Sequence, residues 1–136
     1  MNRTIRVVLA DCHDGLCHVV ERIINSQDHM HVVGVASSGE QAVRITREHQ
    51  PDVALIDAEL DDMTGAQAVR QLREARPNIR IIGFTMHPNP QLRQQLAQSG
   101  VNDVIEKGAE IETITNAIKA AVGDHDRDDD AAPCPS

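Results

Sequence analysis

Residues 52–57 read Asp52-Val-Ala-Leu-Ile-Asp57, four apolar residues in a row between two carboxylates. A strand with one wet face alternates apolar and polar residues; this segment does not, so it reads as a strand covered on both faces, the habit of parallel sheets. The same texture recurs on either side. Ile5–Ala10, His31–Ala36, Asp52–Ile56, Ile79–Phe84 and Asn102–Ile105 are the strand candidates. Helical spacing fills the intervals. Leu16, Val19, Val20, Ile23 and Ile24 form one stripe and Ala42, Val43 and Thr46 a second, while Ile111, Ile114, Ile118 and Ala121 give the last helix an apolar face. Ser38 with Gln41, and Thr64 with Gln67, have capping-box spacing. Pro77 and Gly100 stop the third and fourth helices. The fourth helix is the weakest, because Gln91, Gln94, Gln95 and Gln98 leave only Leu92, Leu96 and Ala97 to pack. The strand–helix rhythm predicts a doubly wound α/β domain with a parallel five-stranded sheet.

Composition narrows the function. The 136 residues fit one domain, expected over residues 1–122, followed by an acidic disordered tail over 123–136. Thirteen Lys and Arg face twenty-one Asp and Glu, a net charge of −8 that gives no general attraction for nucleic acid or anionic lipid. Phe84 is the only aromatic residue of the Phe, Tyr and Trp set, so base stacking is nearly excluded. No apolar run approaches the ~20 residues of a membrane span, and no signal peptide is read. Cys12, Cys17 and Cys134 form no disulfide framework, which points to a reducing, cytoplasmic setting.

Ligands in such sheets bind outside the carboxyl ends of the strands. Asp11 follows the first strand, Asp57 the third and Thr85 the fourth, and Lys107 lies just beyond the fifth. Two carboxylates, a hydroxyl and an ammonium are thus expected on one rim. The lysine is informative in a chain with eleven Arg and two Lys, since a compact ammonium suits a point charge beside carboxylate or phosphate. A second cluster, Cys12, His13, Cys17 and His18, invites a metal or redox reading. Its spacing matches no paired-cysteine site, which leaves a surface-facing first helical turn as the plainer expectation.

Leu-Ala-Asp-Cys-His at 9–13, Asp-Val-Ala-Leu-Ile-Asp at 52–57, Gly65, Phe-Thr-Met-His at 84–87 and Lys107 resemble the receiver domain of two-component response regulators. The likeness spans about residues 4–122 and is nearest the branch that precedes a helix-turn-helix output domain. It implies the flavodoxin-like (βα)5 fold with strand order 2-1-3-4-5. It implies Asp57 as phosphoacceptor for a sensor histidine kinase, Thr85 and Lys107 as phosphoryl contacts, and Asp11, Asp57 and the Glu59 backbone carbonyl as magnesium ligands. Such a chain is a phosphoacceptor rather than a turnover enzyme. As no residues remain here for an output domain, a stand-alone receiver signalling through a downstream protein is expected, with monomer or homodimer left open.

The sequence also departs from the pattern. Cys12 stands at the usual second acidic position, so magnesium binding is expected to be weak. Val104 stands where an aromatic switch residue is usual. Asp61 and Gly108 replace two common prolines, so no cis peptide is expected there, and Met86 replaces a small residue and is expected to narrow access to Asp57. Cys12 and Val104 keep one alternative alive, an atypical, phosphorylation-independent binding module, and the likeness to the helix-turn-helix branch keeps another, the receiver part of a longer DNA-binding regulator. A flavodoxin-like nucleotide binder is disfavoured, because the loop Asp11-Cys-His-Asp-Gly15 is acidic and lacks a glycine-rich cradle.

Overall fold

The computed structural model describes the backbone of residues 4–10, 14–86 and 89–131, and the side chains of all of these except 14–16 and 124–131. Five strands and five helices alternate: β1 (Ile5–Ala10), α1 (Asp14–Asn25), β2 (Met30–Ala36), α2 (Gly39–His49), β3 (Val53–Asp57), α3 (Gly65–Ala75), β4 (Arg80–Thr85), α4 (Pro90–Ser99), β5 (Asp103–Glu106) and α5 (Ile111–Ala131). The strands form one sheet in the order β2-β1-β3-β4-β5, and every pairing is parallel. The fold and the strand order are those expected, with strand ends displaced by at most one residue.

The apolar runs are covered on both sides, as their lack of alternation requires. One face carries Val7, Leu9, Leu55, Ile82 and Phe84 against Cys17, Val20 and Ile24 of α1 and Ile114 and Ile118 of α5. The other carries Val8, Ala54, Ile56 and Ile81 against Ala42 and Val43 of α2 and Ala68, Val69 and Leu72 of α3. Every residue of β3, the central strand, is buried.

Local signals act as read, with four corrections. Thr64 and Gln67 close a reciprocal capping box at α3. At α2 the Ser38 hydroxyl accepts the Gln41 N–H, but the Gln41 carboxamide accepts from Ser37, one residue early. The α1 stripe is rotated: Cys17, Val20 and Ile24 are buried, while Val19 is 53% exposed. Ile111 is also exposed, because it opens α5 before that helix reaches the sheet, and Ala117 and Val122 join Ile114 and Ile118 inside. On α4, Leu96 alone is buried and Ala97 faces solvent. The α5 backbone is helical to Ala131, past Gly123 where the tail was expected to begin. No proline interrupts it before Pro133. The remainder of the expected tail, 132–136, lies outside the described residues, and among the described residues no helix is long and apolar enough to cross a membrane.

Candidate functional site

The carboxyl ends of β3, β4 and β5 come level, so that Asp57 pairs with Phe84 and Thr85 with Glu106 in the strand register. Asp57 is the last residue of β3 and is 1% exposed. Burying a carboxylate costs several kcal/mol unless partners replace its water. The principal partner is Lys107, whose Nζ lies 2.6 Å from Oδ2, both side chains being 1% exposed. The other oxygen, Oδ1, accepts the Glu59 N–H at 2.8 Å. At 2.6 Å the ammonium–carboxylate contact is at the short end of charge-assisted bonds.

Backbone ties fix this pair. The Lys107 N–H donates to the Thr85 carbonyl at 2.7 Å, and the Ala58 N–H donates to the Phe84 carbonyl at 2.9 Å. Gly108 turns the chain away at φ +91°, a left-handed conformation closed to the proline it replaces. The Lys107 ammonium stands 6.0 Å above the Phe84 ring, at the edge of cation–π range. Thr85, 1% exposed, ends β4 and borders a cleft of about 370 Å³ lined also by Glu59, Asn89, Gln91, Leu92 and Gln95. Asn89 was not singled out in the sequence. Its side chain caps α4 by accepting the Leu92 N–H at 2.8 Å, with Pro90 at the first helical position. The Asn-Pro pair before the glutamine run was the available signal.

Of the residues expected at the site, Asp57, Glu59, Thr85 and Lys107 gather on one rim. Asp11 and Cys12 lie outside the described residues, as do His13 and His87. Val104 is buried on β5, 8% exposed. Met86 is 45% exposed at the end of β4. The expectation of a surface-facing first turn fails at Cys17, which packs beside Leu9, Val20, Leu55 and Phe84, whereas His18 faces solvent 3.8 Å from Glu21. Adjacent helical residues point about 100° apart, so the two diverge. Among the described residues, no three His, Cys, Asp or Glu side chains converge as a metal cluster.

Sequence comparison decides the family, since the profile of the response regulator receiver domain matches residues 7–119. The chain belongs to that family. It is 32% identical over 115 residues to the response regulator GacA of Pseudomonas viridiflava, an alignment covering 85% of this chain and 54% of GacA. It is 31% identical over 116 residues to the response regulator UvrY of Escherichia coli K12, covering 85% of this chain and 53% of UvrY. The receiver domain thus spans about half the length of these curated relatives. Among solved structures, the response regulator domain of Thermotoga maritima CheB superposes with a TM-score of 0.81 at 26% identity, over 89% of this chain and 98% of that one. This receiver domain is therefore a component of two-component signalling, in which such domains work with sensor histidine kinases.

Proposed function

We propose that Asp57 accepts a phosphoryl group from the phosphohistidine of a sensor kinase, and that the phosphorylated receiver signals by binding another protein. One observation carries this reading: the buried Asp57–Lys107 pair, 2.6 Å apart, on the rim that Thr85 completes. In the transfer, an Asp57 carboxylate oxygen forms the new P–O bond as the P–N bond to the kinase imidazole breaks. The bonding electrons return to the imidazole nitrogen. Lys107 then has a phosphoryl oxygen to pair with, and the Thr85 hydroxyl a second one to which it donates. Little covalent help is needed, because phosphoryl transfer depends chiefly on placement and charge neutralisation.

The oxygens of Asp57 and of the Glu59 main chain are hard donors, the class magnesium takes, so these residues fit the ion the family uses. Asp11 would add a third oxygen donor, and the soft thiol of Cys12 in place of a carboxylate would leave binding weak. Magnesium, when bound, supplies positive charge against the transferring phosphoryl oxygens. The cytoplasm is the compartment this reading requires.

The test is intact-mass measurement after incubation with acetyl phosphate and magnesium. The wild-type chain is expected to gain one phosphate, stable in acid and labile in base as an acyl phosphate, and Asp57→Asn none. Labelling of the Asn variant would reassign the acceptor. A wild-type chain that gains no mass would instead favour a phosphorylation-independent binding module.

A further inference from the structure

The segment joining Asp57 to α3 is held at more points than a connector requires. The Ala58 N–H is bonded to β4, the Glu59 N–H to Asp57 itself, Leu60 is buried, and Thr64 closes the α3 capping box. One further anchor reaches a different part of the molecule. Asp62 accepts the Gly39 N–H on Oδ1 at 2.8 Å and the Glu40 N–H on Oδ2 at 3.0 Å. Gly39 and Glu40 open α2, where the first N–H groups have no partner within the helix. A carboxylate is well suited there, by charge-assisted bonding and by the helix dipole.

Yet α2 already has its own cap, the Ser38 hydroxyl on the Gln41 N–H at 3.1 Å. Asp62 is therefore not what starts the helix; it adds a link between α2 and the segment after Asp57. Met63 makes the contact close. A Cβ built on Gly39 would stand 2.5 Å from the Met63 sulfur, so only the bare glycine lets Met63 lie directly on the helix start.

We infer that Asp62 is a positioning residue for the phosphoacceptor, bracing segment 58–64 on α2 so that the Glu59 amide stays on Asp57 Oδ1. The inference rests on the proposed role of Asp57. Asp62 touches no reacting atom and acts through the placement of Glu59, three residues away. Small displacements of that kind are costly in phosphoryl transfer, where geometry supplies most of the rate.

The experiment compares the wild-type chain with Asp62→Ala, Asp62→Asn and Ser38→Ala. Amide hydrogen exchange is the first readout. Asp62→Ala should speed exchange at Gly39, Glu40 and Glu59, whereas Ser38→Ala should speed it at Gln41 and leave Glu59 unchanged. The second readout is the initial rate of labelling by acetyl phosphate in excess magnesium. Asp62→Ala should be slower on the order of five-fold, Asp62→Asn intermediate because its amide oxygen still accepts one N–H, and Ser38→Ala at the wild-type rate. Unchanged Glu59 exchange in Asp62→Ala, or an equal rate loss in Ser38→Ala, would overturn the positioning role. If the wild type takes no label, the role of Asp57 fails, and Glu59 exchange alone decides whether Asp62 holds the segment.

Discussion

Two aspartates five positions apart meet opposite surroundings, and the contrast shows what a carboxylate does in each. Asp57 is enclosed and matched to an ammonium. Asp62 is exposed, and the Gly39 N–H, opposed by desolvation and aided by the Glu40 N–H, holds its carboxyl below the ordinary value of 3.8. A depressed carboxyl contributes stability that is fully present above the unfolded value and is lost as pH falls through the folded one. Urea unfolding of wild type and Asp62→Asn should therefore show a stability difference at about pH 7 that shrinks once the pH falls below the ordinary carboxyl value, towards about pH 3. A difference that stays constant across that range would mean that the charge of Asp62 contributes nothing. The placement of Asp57 and Thr85 at strand ends was legible in the sequence because each closes an apolar run whose end can be read directly, and Lys107 lies one residue beyond the fifth run. The bond from Asp62 was not, because its partner Gly39 lies 23 residues earlier and no local pattern links the two.

Helix α4 is attached to the domain by very few groups. Leu96 is its only buried residue, and it sits between two glycines: a Cβ on Gly65 would meet Leu96 Cδ2 at 3.0 Å, and one on Gly83 would meet Cδ1 at 3.2 Å. Hydrogen bonds assist at two points. Arg73 of α3 donates to the Gly100 carbonyl at 2.9 Å, and Arg93 of α4 donates to the Val104 carbonyl at 3.2 Å. Truncating a buried leucine costs about 2–5 kcal/mol through lost transfer energy and the cavity left behind. Leu96→Ala should accordingly destabilise the domain by about 2–3 kcal/mol in urea, with amide protection in Pro90–Ser99 falling further than elsewhere. Uniform loss of protection would show that α4 is held by more than this side chain. The poverty of apolar residues in α4 was plain from the glutamines; that Leu96 is the single anchor required knowing where Gly65 and Gly83 lie. In α1 the reading went wrong for a related reason. Cys17 and Val19 are both apolar enough to pack, and only the tertiary position of the sheet selects Cys17.

At the scale of the molecule, the sheet divides the interior into two apolar layers, one closed by α1 and α5 and the other by α2 and α3. Alternating strands and helices with unbroken apolar runs made this architecture readable, and right-handed crossovers left few ways to order the strands. The extent of α5 was less readable. The acidic composition from Gly123 onward pointed to a tail, and the α5 backbone is helical to Ala131. Val122 is the last buried apolar residue among those described. A chain ending after Gly123 should thus unfold within about 0.5 kcal/mol of the full one, the range for changes remote from a core. A larger loss would show that residues beyond Gly123 pack on the body of the domain.

The ring of Phe84 has a spectroscopic consequence. It lies beneath the Lys107 ammonium and shares the inner wall with Cys17 and Leu55. As the chain has no tryptophan or tyrosine, every benzenoid proton resonance comes from that one ring. The ring-current field falls on the Lys107 side chain, next to the strand position of Asp57, and nowhere else in the molecule is there a competing source among phenyl, phenol or indole groups. The protein thus carries an intrinsic, unlabelled magnetic reporter beside the proposed phosphoacceptor.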